Sequence, residues 1–131
     1  MSQLLQKILL SCVLILLSVH KMLAIHVNIV NSLEDNLDLT VHCKSADDDL
    51  GIHLLHHGEN YGWSFGVSVF KGTLFYCGFT WNGQLHWFDI FKKTDRKTSD
   101  CTECDWHIFK SGPCRTLTSS ATACFPWNKN E

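Results

Sequence analysis

Three aspartates, Asp47, Asp48 and Asp49, stand side by side in VHCKSADDDLG (residues 41–51). Carboxylates at that density point to a calcium loop, a general acid/base pair or a hydrated turn. A calcium loop of the EF-hand type needs alternating oxygen ligands and a bidentate glutamate at its twelfth position. Counted from Asp47, the alternation breaks at Leu50 and Gly51, and the twelfth place holds Gly58. An acid/base pair needs one carboxyl held in apolar surroundings that raise its pKa. A run of three acids in a turn provides none, and neighbouring side chains point apart on an extended backbone. The reading kept is a solvated turn behind a strand.

Eight histidines offer a second chemistry. His20 lies near the N-terminus and His26 in the first strand; His42, His53, His56, His57, His86 and His107 are spread over the rest. Two histidines on separate strands can serve as acid and base in a secreted ribonuclease. Such an enzyme also needs cations for the phosphate, which this acidic chain does not supply. His42, His86 and His107 are expected on the solvent faces of their strands. The C-x-x-C at Cys101 and Cys104 is a third candidate. A redox motif of that spacing wants a helix start behind a βαβ strand. A zinc site wants a second close pair, and Cys114 and Cys124 are too far apart. Both cysteines are read as structural disulfide partners. Trp63, Phe65, Phe75, Phe79, Trp81, Trp87, Phe88 and Trp106 could form a sugar-binding surface, but are assigned to the core. No catalytic residue, metal or cofactor is expected.

The elements that must position these residues follow a leader. Lys7 precedes a short apolar run, Ile8 to Val19, broken only by Ser11, Cys12 and Ser18. That run falls short of the roughly 20 residues a bilayer span needs. A basic start, an apolar core and a small residue at the end describe a secretory signal peptide over residues 1–24, cut near Ala24. One domain, residues 25–131, remains. It carries nine Lys and Arg against 13 Asp and Glu, a net charge of −4. That balance argues against nucleic acid and against an anionic membrane surface as partners. Once the leader is cut, no further apolar run is long enough for membrane insertion. Cys12 leaves with the leader. Six cysteines remain, Cys43, Cys77, Cys101, Cys104, Cys114 and Cys124, and an even number in a small secreted chain reads as disulfides with 15 possible connectivities. There is no N-x-Ser/Thr sequon.

The domain is a series of short alternating runs broken by Gly, Asn and Asp. IHVNIVN (25–31) alternates Ile25, Val27 and Ile29 with polar neighbours, and LDLTVHC (37–43) puts Leu37, Leu39, Val41 and Cys43 on one face. Period two marks half-buried strands. SLEDN between them is turn chemistry. GIHLLHH (51–57) and YGWSFGVSVF (61–70) follow as strands, with a turn at Gly58–Asn60 between them. In TLFYCGFTW (73–81), Phe75, Cys77, Phe79 and Trp81 share a face. Asn82-Gly83 then joins it to QLHWFDIF (84–91) as a hairpin. KKTDRKTSD (92–100) is wholly polar and reads as an exposed loop; CDWHIF (104–109) alternates again, and a last strand lies around Cys114 to Leu117. The tail from Thr118 has no clear period. The pattern predicts an all-β fold: one antiparallel β-sandwich of about seven or eight strands, stabilised by disulfides.

Taken in order, VHCKSADDDLG (41–51), GWSF (62–65), TLFYCGFTW (73–81), HWFDIF (86–91) and CTECDWHIFKSGPC (101–114) resemble the plant self-incompatibility S-protein family, the S-protein homologues. The resemblance covers nearly all of residues 25–131. Ala46 departs from the basic or polar residue usual at that place, and the tail with Cys124 is read as an extension of the shared core. The resemblance implies a secreted, disulfide-bonded β-sandwich without enzymatic activity, acting as a signalling ligand for a cell-surface receptor. The founding members take part in rejection of self pollen. It makes Lys44, Asp47, Asp48, Asp49 and Gly51 a signature turn.

The expected role is therefore a secreted protein ligand whose loops choose its receptor, since loops vary without disturbing a core. The candidate receptor-facing loop is Lys92 to Asp100, with Lys92, Lys93, Asp95, Arg96, Lys97 and Asp100; Gly58–Asn60 is a second candidate. Among the disulfide pairings, Cys43–Cys114, Cys77–Cys104 and Cys101–Cys124 are preferred. A defence or toxin-like protein would want a cationic amphipathic face, which this chain lacks. A secreted hydrolase or ribonuclease would depend on a histidine pair. The sequence sets no oligomeric state.

Overall fold

The computed structural model describes residues 2–22, 24–67 and 72–129, with side chains for all of these but 18–22. Helix α1 spans Ser2–Met22, and its side chains from 2 to 17 are exposed. No helix among the described residues is long and apolar enough to cross a membrane.

Nine strands follow: β1 Ala24–Asn31, β2 Leu39–Lys44, β3 Asp49–Leu55, β4 Asn60–Gly66, β5 Leu74–Trp81, β6 Gln84–Lys92, β7 Glu103–Phe109, β8 Gly112–Thr118 and β9 Ala121–Cys124. They form a five-stranded sheet in the order β4-β1-β7-β8-β9 and a four-stranded sheet in the order β3-β2-β5-β6. The alternation read from sequence sets which side chains are buried. Ile25, Val27 and Ile29 of β1 join Leu39, Val41 and Cys43 of β2, Phe75, Cys77, Phe79 and Trp81 of β5, and Cys104, Trp106 and Ile108 of β7 in a single apolar core. Asn82 (φ 50°) and Gly83 (φ 71°) take the left-handed backbone a two-residue hairpin requires.

Three expectations need correction. The sequence predicts seven or eight antiparallel strands; the described residues hold nine, and β1 pairs parallel with β7. The ninth lies in the tail, where four residues with little burial leave no alternation to read. A parallel neighbour far along the chain leaves no local signal either. Residues 92–100 are not a bare loop. They hold a short helix, α2 (Arg96–Ser99), with Thr98 buried. Residues 68–70 of the predicted fourth strand lie outside the described residues.

The third correction concerns the disulfides, which are Cys43–Cys77, Cys101–Cys104 and Cys114–Cys124. Cys43 and Cys77 are direct partners on β2 and β5, and Cys114 and Cys124 on β8 and β9; each pair has its Cα atoms 4.0 Å apart. Cys114 stands opposite His107, on the side of its sheet away from Trp106 and Ile108, so it does not face Cys43 across the core. Loop closure over separations of 34, 10 and 3 residues corresponds to about 4, 3 and 2 kcal/mol in the chain-entropy view. No disulfide links one sheet to the other.

Two other devices do. Asn31, fully buried at the end of β1, donates from Nδ2 to the carbonyls of Leu37 (2.8 Å) and Leu55 (2.9 Å) and accepts the Leu33 N–H at Oδ1 (3.0 Å). Leu55 belongs to the other sheet. The Asn31 backbone also bonds to Glu59 and Gly58. The tail behind β9 is a strap. The Phe125 N–H donates to Pro113 in one sheet, and the Asn128 N–H to Trp87 in the other. Phe125 packs on Phe88 and Trp106, and Trp127 on Phe79, Trp81 and His86. The strap crosses Gly112 (φ 147°) so closely that a Cβ there would stand 1.9 Å from the Phe125 carbonyl oxygen.

Asn31→Ala removes the three hydrogen bonds of a buried amide, and a loss of about 3 kcal/mol in urea unfolding is expected. An unchanged midpoint would show that Asn31 does not join the sheets. Gly112→Ala forces strap and strand apart at a positive φ, and should cost about 2–4 kcal/mol. Unaltered packing of Trp127, read by near-UV dichroism, would contradict that contact.

Candidate functional site

Two of the three segments nominated from sequence, the signature turn and Lys92–Asp100, lie at one end of the molecule. The turn behind β2 (residues 45–48) shares a cleft of about 350 Å³ with Phe65, Gly66 and the start of β5. Beside it, Lys93, Ser99, Asp100 and Cys101 border a second cleft of about 480 Å³ with Ile25 and Val67. The Lys93 N–H donates to the Thr73 carbonyl (2.9 Å), which ties the segment behind β6 to the strand entering β5. Ala24, opposite Gly66, begins β1 at this same end. The Gly58–Asn60 turn is at the other end, where the Gly58 N–H meets the Asn31 carbonyl.

Within the signature turn the three aspartates have different tasks. Ser45 and Asp48 close the turn, with the Ser45 N–H on the Asp48 carbonyl (2.8 Å) and the Asp48 N–H on the Ser45 hydroxyl (3.1 Å). Asp49 Oδ1 accepts the Gly51 N–H (2.9 Å) and bonds to His42 Nε2 (2.7 Å), while Oδ2 lies 3.9 Å from Lys44 Nζ. Gly51 sits at φ 80°, and the β2–β3 register shifts between His42 and Lys44. Asp49 thus pins an irregular hairpin. The Gly51 N–H first, then His42, lowers the pKa of its carboxyl. A depressed carboxyl contributes stability above its unfolded value near 3.8, which is lost as pH falls through the folded value. Asp47 and Asp48 point their charge at solvent.

The Lys92–Asp100 segment is rigid by construction. Asp95 caps α2, accepting the Lys97 N–H (3.0 Å). The buried Thr98 hydroxyl accepts the Lys92 N–H (3.0 Å) and lies 3.4 Å from the Lys92 carbonyl. Ser99 reaches back to the carbonyls of Asp95 and Lys93. Lys92, Arg96, Lys97 and Asp100 remain exposed. The two candidate surfaces thus carry opposite charge: acidic at Asp47 and Asp48, mostly basic on α2.

Among the described residues no two histidines are hydrogen-bonded to each other. His42 holds Asp49, His53 stacks on Tyr61 (3.7 Å), His56 holds Asp38 (2.9 Å), and His107 bonds Ser32 (3.2 Å). His86 is not on the solvent face as expected. It stacks on Trp81 (4.1 Å) and turns Nδ1 into the interior, because the strap covers that side of β6. Trp87 departs the other way and is exposed. Ser64 was not singled out from sequence, although GWSFG (62–66) has the G-x-S-x-G spacing and its hydroxyl lies 2.8 Å from His26 Nδ1. That motif works on a strand-to-helix elbow with a third, acidic partner. Ser64 instead lies within β4, and among the described residues no carboxylate bonds His26. Among the described residues no cluster of three His, Cys, Asp or Glu is arranged to hold a metal.

The family described as plant self-incompatibility protein S1 matches residues 26–127. The chain belongs to that family. Among its curated relatives in Arabidopsis thaliana, S-protein homolog 29 is 39% identical over 104 residues, covering 78% of this chain and 76% of the relative. S-protein homolog 2 is 42% identical over 112 residues, covering 79% and 68%. A solved structure of an SPH (self-incompatibility protein homologue) protein, described as one of a widespread family of small, highly stable, secreted plant proteins, shares the fold. Its TM-score is 0.57 at 14% identity, over 81% of this chain and 96% of that one. The family match includes β9 and most of the strap, so the tail is part of the shared S-protein domain and not an extension beyond it.

At the far end, Asp38 and then Glu59 raise the pKa of His56. A raised histidine contributes stability below the unfolded value near 6.5, lost as pH climbs through the folded value. In an NMR titration His56 should show its midpoint above 6.5, and Asp38→Asn should bring it down. A midpoint indifferent to that change would remove the pair from the account.

Proposed function

We propose that this S-protein homologue is a secreted, non-enzymatic protein ligand of a plant cell-surface receptor, acting in signalling between cells. Residues 1–24 serve as its secretory signal peptide, and residues 25–131 form one sandwich domain. The observation that carries the reading is the meeting of the signature turn and the α2 segment at one end of a cross-linked scaffold. Each is braced by its own hydrogen bonds, while Asp47, Asp48, Lys92, Arg96 and Lys97 stay exposed. Such a surface is pre-organised, so little ordering cost falls on binding. Opposite charges on neighbouring segments select a partner by complementarity and speed its encounter. The described relative is of a secreted family, and the curated relatives share most of the domain. The narrower role, rejection of self pollen, is one member of this class.

The test is binding of labelled, oxidised protein to intact pollen and to other plant cells. Saturable binding, displaced by unlabelled protein, is expected. Changing Arg96 and Lys97 to Glu should weaken it by about tenfold or more at low salt, with less effect at high salt. Saturable binding confined to pollen favours the narrower role. Absence of saturable binding to any cell type would sink the ligand reading, as would a charge-reversed variant that binds like the parent.

A further inference from the structure

The two outer faces of the domain differ in a way solubility does not require. On the five-stranded sheet the outward residues of β1 and β4 are mostly polar, with His26 bonded to Ser64 and Asn28 to Asn60, and among the described residues its one exposed large hydrophobic side chain is Leu117 of β8. On the four-stranded sheet Ile52, Leu54, Leu85 and Trp87 are 69, 58, 47 and 38% exposed. A cluster of large apolar side chains on one exposed face marks a contact surface.

The register divides that face in two. Strand β2 runs between its neighbours and presents Thr40, His42 and Lys44. Ile52 and Leu54 lie on one side of this polar column; Tyr76, Leu85 and Trp87 lie on the other. A second copy of the chain needs a contiguous apolar centre to hold a stable interface, and the column interrupts it.

The β5–β6 half has a specific shape. Trp87 stands opposite Gly78. A Cβ on Gly78 would lie 3.4 and 3.5 Å from Trp87 Cζ3 and Cη2, and 3.1 Å from Leu85 Cδ1. The outer edge of the indole therefore lies over the bare backbone of Gly78, while the side chain stays 38% exposed. The Tyr76 ring lies 6.3 Å away, centroid to centroid. Lys44, Tyr76 and Asp89 stand in one row across the strands, a donor and an acceptor flanking a ring. Charges on this face cancel, Lys44 and Lys92 against Asp49 and Asp89. Beyond Tyr76 the face opens into the 350 Å³ cleft, where Asp47 and Asp48 add only negative charge.

We propose that this face binds a neutral, extended pyranose glycan. The C–H faces of two sugar rings stack on Trp87 and Tyr76, since the negative face of an aromatic ring attracts the polarised C–H bonds. Ring hydroxyls donate to Asp89 and accept from Lys44. The acidic cleft at the end of the track disfavours polyanions, uronate polymers among them. The stacking residues Trp87 and Tyr76 belong to β5 and β6 and not to α2, so sugar binding is tested apart from the receptor reading, although the track borders the Asp47 and Asp48 cleft.

The experiment uses the oxidised domain and three probes, cellohexaose, mannohexaose and hexagalacturonate, in titration calorimetry with sedimentation as a companion. Saturable binding of a neutral hexasaccharide is expected. Trp87→Ala should weaken it about tenfold or more, and Trp87→Phe should retain part of it. Both changes are at an exposed site, and thermal unfolding checks that each variant folds. The Arg96, Lys97 double variant should bind the sugar as the parent does. The proposal is overturned if neither neutral probe binds at up to roughly 1 mM. Preference for hexagalacturonate, or a Trp87→Ala affinity equal to the parent's, would overturn it as well. So would a dimer that Trp87→Ala dissolves, which would assign the face to a second copy.

Discussion

Asn31 connects two sheets that no disulfide joins. Its amide bonds to the Leu33 N–H and the Leu37 carbonyl of the turn from β1 into β2, and to the Leu55 carbonyl at the end of β3. A buried polar group in that position costs little while every partner is in place, and much when one is missing. The arrangement therefore fixes where β1 ends and where β3 must lie beside it. The strap then closes the opposite flank, bonding to β8 and to β6 in turn. Between these fastenings, the aromatic core needs only to fill its volume.

The sequence was most informative where burial alternates. Ile25, Val27, Ile29, Leu39, Val41, Phe75, Phe79, Trp106 and Ile108 all face inward as their phase predicts, because a half-buried strand writes its geometry into every second residue. The Asn82-Gly83 hairpin was legible for the same local reason. What failed was non-local. The pairings Cys43–Cys77 and Cys114–Cys124 depend on which strands become neighbours and in what register, and neither is encoded near a cysteine. His86 and Trp87 exchanged their expected faces because a tail with no period of its own covers β6. The α2 turn looked like loop because its burial rests on one threonine hydroxyl, which carries no hydrophobic signal.

Of the candidate site, residue types were legible and their convergence was not. Asp47, Asp48 and Asp49 read as one acidic run. Asp49 in fact braces the β2–β3 irregularity while its neighbours stay in water. Asp95 likewise looks like surface charge and is spent on capping a helix. Composition counts charges, but only geometry separates those that hold the fold from those free to meet a partner. Similarly, the family comparison assigns the domain, and the asymmetry of its two outer faces is a property of these particular side chains.

The direction of the first strand has a practical corollary. Because β1 starts at the cleft-bearing end and Trp127 donates its indole N–H to the Lys110 carbonyl in the β7–β8 turn, residue 25 and the strap lie toward opposite poles of the domain. A reporter fused ahead of residue 25 would crowd the clefts and the α2 segment. One fused behind the strap would stand clear of them. A bead or sensor chip that grips the protein from its C-terminal side therefore presents that pole outward, which orients every copy for capture of whatever recognises it.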